Sequence, residues 1–246
     1  MKNISWILLF FFLTHLANDA EASAPGYLGK NFSIAYKGAA NPIFLNESKN
    51  KVKGRVRFDV NFFHNFQLEY SISRRRSLSL QYERSRAGFT GTLKPIGSNQ
   101  SDDEQWYFLN YRKNSFSFNA NTSLRGAISP IGSYTSLGFY ISRLTTIDPP
   151  EGSPNADIFE SSNYGFYRYP QIWDYGIKFS YGRKFPLAKI ILLDVGVETN
   201  LISRSLVVSV FGDEFTQLEG AGYDLLIRDY MHGIFKIYAG IHFLAF

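Results

Sequence analysis

Along Val56–Ile72 (VRFDVNFFHNFQLEYSI) apolar and polar residues take turns. Val56, Phe58, Val60, Phe62, Phe66, Leu68, Tyr70 and Ile72 share one parity, broken only by His64. Arg57, Asp59, Asn61, Asn65, Gln67, Glu69 and Ser71 share the other, with Phe63 the one apolar intruder. A period of two marks an extended strand, because successive side chains point to opposite faces. Ordinary strands sustain this for about five or six residues. Seventeen extended residues at ~3.3 Å each, tilted at ~45°, rise roughly 40 Å, whereas the apolar band of a membrane barrel is only about 25 Å tall. The apolar side is therefore expected to face lipid, with the upper end standing clear of it and His64 near the outer interface.

The pattern recurs along the chain. Leu78, Leu80 and Tyr82 alternate with Ser79, Gln81 and Glu83, and Tyr107, Leu109 and Tyr111 with Asn110 and Arg112. Thr135, Leu137, Phe139 and Ile141 alternate with Ser136, Gly138 and Tyr140. Trp173, Tyr175, Ile177, Phe179 and Tyr181 alternate with Asp174, Gly176, Lys178, Ser180 and Gly182. Ile191, Leu193, Val195, Val197 and Leu201 alternate with Asp194, Gly196, Glu198 and Asn200. Phe235, Ile237, Ala239, Ile241 and Phe243 alternate with Lys236, Tyr238, Gly240 and His242. With a first strand over Gly26–Lys37, eight strands are predicted. Their connections run long (Gly38–Lys53), tight (Ser73–Arg75), long (Thr90–Asp103), long again (Asn114–Ile131), long (Thr146–Gly165), short (Gly182–Ala188) and long (Arg204–Leu225). Near-alternation of long and short connections matches membrane barrels with external loops and short turns. Asn114–Ile131 is the exception, too long for a simple turn, with room for extra strand at either end. The expected fold is all-β: an eight-stranded antiparallel up-and-down transmembrane β-barrel.

Composition sharpens this picture. Aromatic residues make up 17% of the 246-residue chain, yet mean hydropathy is only −0.16, so apolar residues are dispersed singly. Lys2, the apolar run Ile4–Leu13 and Ala20–Glu21–Ala22 read as an export signal cut after Ala22. The run falls short of the roughly twenty residues that a spanning helix needs. The expected division is residues 1–22 as signal peptide and 23–246 as barrel domain. No later segment is long and apolar enough for such a helix, and a chain crossing lipid without helices must close into a barrel. The absence of cysteine excludes disulfides, thiolate metal sites and a lipoprotein-type anchor. Losing Lys2, Asp19 and Glu21 raises the formal net charge from +5 to +6. That modest excess suits an anionic partner such as lipopolysaccharide, while export and scattered cations argue against nucleic acid.

Taken at face value, the alternation turns Glu69, Glu83, Arg112, Asp174, Lys178, Asp194, Glu198 and Lys236 inward. Eight strands leave an interior just wide enough for side chains, so these charges should pair into a lumen network rather than line a pore. Tyr70, Tyr82, Tyr107, Tyr111, Trp173, Tyr175 and Tyr181 are expected outward, as an interfacial girdle. Of the histidines past the signal, His64 faces lipid, His232 lies near the top of the last strand and His242 near its bottom. None sits in a nucleophile or metal motif, and no cofactor or metal is expected. Phe246 supplies the terminal aromatic that barrel-assembly machinery reads, though it shares parity with His242 and Leu244 rather than with the apolar row. The favoured role is non-enzymatic: a structural barrel, or one contacting an unknown surface ligand through its long loops, monomeric in the bacterial outer membrane. The alternatives are a lipid-modifying hydrolase or acyltransferase using His232, and a soluble lipocalin-like carrier with its apolar side inward.

Pro25–Lys30 (PGYLGK), Gly126–Tyr134 (GAISPIGSY) followed by Leu137–Tyr140 (LGFY), and Leu192–Glu198 (LLDVGVE) resemble elements of a family of small outer-membrane β-barrels common in Bacteroidetes-type bacteria. The resemblance is spread over most of the chain past the signal. It implies an exported eight-stranded barrel of OmpA/OmpX type in the outer membrane. It implies no activity, and it supplies no functional residues to carry over.

Overall fold

The computed structural model describes residues 29–42, 60–93, 105–124, 128–147, 171–204, 229 and 233–245. Eight strands run in chain order: β1 (Phe32–Pro42), β2 (Val60–Ser71), β3 (Arg76–Leu93), β4 (Gln105–Ser123), β5 (Gly132–Ile147), β6 (Gln171–Ala188), β7 (Ile191–Ser203) and β8 (Lys236–Ala245). Each pairs antiparallel with the next, and β8 returns to β1 from Phe32↔Ala245 to Ala40↔Ile237. The result is a closed eight-stranded antiparallel barrel. Closure matters energetically, since every strand edge finds a partner and no row of backbone donors and acceptors is left open.

The two walls of this cylinder are chemically opposite. On β2, Phe62, Phe66, Leu68 and Tyr70 are exposed outside, while Asn61, Phe63, Asn65, Gln67 and Glu69 are buried inside. Leu80, Phe116, Phe118, Leu137, Phe139, Ile141, Ile237, Ile241 and Phe243 extend the exposed apolar surface around the barrel. Inward positions are occupied by Ser, Asn, Gln, Lys, Asp and Glu, with few apolar residues among them. One small apolar cluster, Ala39, Phe63 and Tyr238, sits inside.

Three boundaries differ from the sequence expectation. β1 begins at Phe32 and continues through Gly38–Pro42, a segment that composition assigned to a loop; Ala39 and Asn41 keep the inward parity of Ser33, Ala35 and Lys37. β6 runs on through Arg183–Ala188 rather than ending at Tyr181, and the chain turns only at Lys189–Ile190. β4 extends to Ser123, which accounts for most of the long Asn114–Ile131 connection.

β4 also reverses parity relative to the short window read around Tyr107–Tyr111. Its longest alternating stretch is Ser115–Ser123, where Phe116, Phe118 and Ala120 oppose Ser115, Ser117, Asn119 and Asn121. A strand without a bulge has a single parity, and the larger apolar set takes the outside. Tyr111 is thereby turned inward and Arg112 outward.

Two glycines and two tyrosines form a row across four strands: Tyr134 (β5) pairs with Gly182 (β6), Gly182 with Gly196 (β7), and Gly196 with Tyr238 (β8). A Cβ at either glycine would collide with the tyrosine side chains, which fold inward over the bare backbone. Their hydroxyls meet at 2.8 Å.

Candidate functional site

Among the described residues, acids and lysines converge in the lumen, where they form three tiers. The lowest centres on two carboxylates. Asp194 (β7) accepts from Lys37 Nζ (β1) at 2.6 Å, from the Tyr134 hydroxyl at 2.9 and 3.0 Å, and lies 2.9 Å from His242 Nε2 (β8). Glu69 (β2) is ion-paired with Lys184 (β6) and accepts from Ser77 Oγ at 2.5 Å. Asn121 and Gln67 amides also donate to Glu69, at 3.4 and 3.3 Å. Lys184 reaches across the barrel, and its ammonium lies 4.8 Å from the Tyr134 ring centroid.

In the middle tier two lysines bracket two glutamates. Lys178 (β6) pairs with Glu198 (β7) at 3.1 Å and donates to Gln81 Oε1 at 3.0 Å. Lys236 (β8) pairs with Glu83 (β3) at 2.9 Å and with Glu198 at 3.3 Å. In the upper tier Lys113 (β4) pairs with Asp229 at 2.7 Å, the Tyr111 hydroxyl donates to Asp229 at 3.3 Å, and the Tyr140 hydroxyl donates to Asp174 at 2.9 Å. Burial on this scale is tolerable because each carboxylate finds ammonium or hydroxyl donors that replace lost water. A cavity of about 10 Å³ lies among these groups, lined by residues such as Lys37, Gln67, Gln81, Asn121 and Glu198; this is at the lower limit for one water.

Of the charges expected inside, Glu69, Glu83, Asp174, Lys178, Asp194, Glu198 and Lys236 are buried in the lumen. Arg112 is not: it is exposed on the outer wall, because the Phe116–Phe118–Ala120 row fixes the parity of β4. Lys37, Lys113, Lys184, Asp229 and His242 are lumen residues absent from the expected charge set. Lys37 and Lys184 lay on stretches of β1 and β6 read as end or turn. Lys113 shares the parity of Ser115 and Ser117, a signal available in the sequence. Asp229 lies outside the strands, where alternation carries no information.

Of the expected girdle, Tyr70, Trp173, Tyr175 and Tyr181 are exposed on the outer wall. Tyr82 is half-buried there, its hydroxyl donating to Asn114 Oδ1 at 3.0 Å. Tyr111 is a correction: only 1% exposed, it faces the lumen for the same parity reason as Arg112. The Tyr107 side chain, His232, Phe246 and the Ala22 cleavage site lie outside the described residues. His64 faces outward and hydrogen-bonds Tyr36 at 2.7 Å. No group of acidic and histidine side chains that could hold a metal occurs among the described residues.

No family model matches the chain, and no curated protein does. Among solved structures it is similar to Ail, the attachment invasion locus protein of Yersinia pestis, solved with the heparin analogue sucrose octasulfate, at 11% identity and a TM-score of 0.37 over 87% of this chain and 94% of that one. It is also similar to Neisserial surface protein A, at 10% identity and a TM-score of 0.40 over 87% of this chain and 97% of that one. A third likeness is to the N-terminal β-barrel domain of Pseudomonas aeruginosa OprF, at 9% identity and a TM-score of 0.39, with the same two coverages.

Proposed function

We propose that the chain is an exported, integral outer-membrane β-barrel without enzymatic activity, acting as a structural element of the membrane or through surface contacts made by its long loops. The observation that carries this reading is the inversion of its walls. Phe66 is 55% exposed and Phe139 55%, while Glu69 and Lys184 are each 2% exposed. Water would penalise such an outer surface heavily, whereas hydrocarbon would not. The same inversion weighs against a soluble lipocalin-like carrier, whose ligand cavity would be apolar. The ion pairs across the described lumen, and the small cavity among them, support a plugged barrel that conducts nothing.

Ser33, His242 and Asp194 deserve a second reading, because they fall in the order of a hydrolase triad. Ser33 Oγ lies 3.5 Å from His242 Nδ1, and His242 Nε2 lies 2.9 Å from Asp194. A nucleophile also needs access and a place for substrate. Ser33 is 2% exposed and His242 fully buried, and Asp194 is already engaged by Lys37 and Tyr134. The group serves better as a structural knot. Lipase and deacylase assays of wild type against Ser33→Ala are expected to show no activity in either; turnover lost in the variant would reinstate the enzyme.

Fractionation tests the main proposal. The protein is expected to stay with outer membranes through carbonate washing and to migrate differently on a denaturing gel before and after boiling. Release by carbonate, or identical migration, would overturn it. The Bacteroidetes-type family, the signal 1–22, recognition of Phe246 by assembly machinery and the monomeric state belong to the same proposal.

A further inference from the structure

Among the described residues, every acid is buried, and lysine and arginine divide between the two walls. Glu69, Glu83, Asp174, Asp194, Glu198 and Asp229 are all buried, and the buried bases Lys37, Lys113, Lys178, Lys184 and Lys236 are all lysines. No described arginine is buried in the lumen. Instead Arg84 and Arg86 (β3), Arg112 (β4) and Arg143 (β5) share the outward parity of three adjacent strands. Arg86 is directly opposite Arg112, and Asn114, two residues further on β4, is opposite both Arg84 and Arg143. Facing residues lie about 5 Å apart and alternate residues about 7 Å apart, so four guanidinium groups are rooted in a patch roughly 10 Å across.

Two features of this patch call for an anion. Like charges facing each other across a strand pair repel, and no described carboxylate forms an ion pair with any of the four. The Arg143 Nε is buried with no hydrogen-bond partner among the described residues. A third feature says where the anion sits. One row of paired residues towards the turns, the outward neighbours are Phe66, Tyr82, Phe116, Ile141 and Tyr175; the next row is His64, Arg84, Asn114, Arg143 and Trp173. Apolar wall gives way to guanidinium within one alternation, at the level where aromatic residues mark a membrane interface.

Resting on the membrane-barrel reading above, we infer that Arg84, Arg86, Arg112 and Arg143 form a lipid-binding face on β3–β5 that grips the phosphates of a multiply phosphorylated outer-leaflet glycolipid, the chemistry of lipid A. Its acyl chains lie along Tyr82, Phe116, Phe118 and Phe139, and its phosphates sit among the guanidiniums. Arginine suits this task because its planar fork bonds two phosphate oxygens at once, whereas an ammonium acts as a point charge. A singly charged phospholipid would satisfy the patch only in part.

Native mass spectrometry of the full barrel in detergent tests this, with diphosphoryl lipid A, dephosphorylated lipid A and phosphatidylglycerol as three separate probes. Diphosphoryl lipid A is expected to bind best, and the triple substitution Arg86→Gln, Arg112→Gln, Arg143→Gln to weaken it by roughly tenfold or more. Arg183→Gln with Lys189→Gln, near the opposite end of the barrel, should leave binding unchanged. Equal binding of dephosphorylated lipid A, equal binding of phosphatidylglycerol, or an unaffected triple variant would overturn the inference. Heat-modifiable migration is read on every protein: its absence in wild type sinks the barrel reading, whereas its presence with indifferent lipid binding sinks only this one. If the triple variant alone fails to fold, Arg112→Gln decides, with a measurable loss required.

Discussion

The inner and outer walls of this barrel use the same residue alternation for opposite purposes. Inside, buried lysines and carboxylates pair between strands: Lys37 on β1 with Asp194 on β7, Lys236 on β8 with Glu83 on β3. Outside, apolar residues need only the absence of water, and the arginines at the upper margin stand without protein anions among the described residues. The inner wall is therefore a set of mutual obligations between strands, and the outer wall a set of independent contacts with the surroundings. Substitutions inside should be costly and coupled; those outside should depend on height.

The sharpest way to break this contrast is Asp194→Ala, which leaves Lys37 without its carboxylate and strips acceptors from His242 and Tyr134. The expected loss is about 3–5 kcal/mol of folding stability, read by urea-dependent loss of the heat-modifiable form. A loss under about 1 kcal/mol would mean the lumen is wetter than its geometry indicates. Next in size is Phe118→Arg in the apolar belt, expected to cost ~2–4 kcal/mol in bilayers at mid-depth and less towards either interface. Comparing it with the same change at Phe62, on the far side of the His64 row, tests the height dependence. Gly182→Ala should cost ~1–3 kcal/mol through overpacking against Tyr134 and Tyr238. Smallest is Arg112→Gln, expected to move stability by no more than about 0.5 kcal/mol, a result that would also separate it from the buried lysines.

Much of the barrel could be read from period-two alternation. The parity of β2, β5, β6, β7 and β8 follows from runs in which one wall is plainly greasier, such as Trp173–Tyr181. The alternation misleads where the run is short or the apolar contrast weak. Tyr107–Tyr111 alone reads as an outward aromatic row, yet Phe116 and Phe118, later on the same strand, set the opposite parity. Gly38–Asn41 reads as loop because small residues carry little hydropathy, although Ala39 clusters with Phe63 and Tyr238 inside. Lys184 was hidden because Gly182–Ala188, with Pro186 in it, has the composition of a turn; the proline sits near the strand end, beside an irregular step in the β6–β7 pairing. The partners in each ion pair were not legible at all. They depend on which strands face each other across the cylinder, a property of closure rather than of any local segment.

The row Tyr134, Gly182, Gly196, Tyr238 bears on how such a cylinder finds its alignment. Strands held by uniform backbone bonding could in principle slide past one another by two residues and still present the correct faces. Sliding β6 or β7 by that step would bring Ser180, Lys184, Asp194 or Glu198 beneath a phenol that fits only over bare backbone. Bulk against hollow thus acts as a key cut for a single tooth, and the last four strands can mesh in one position only.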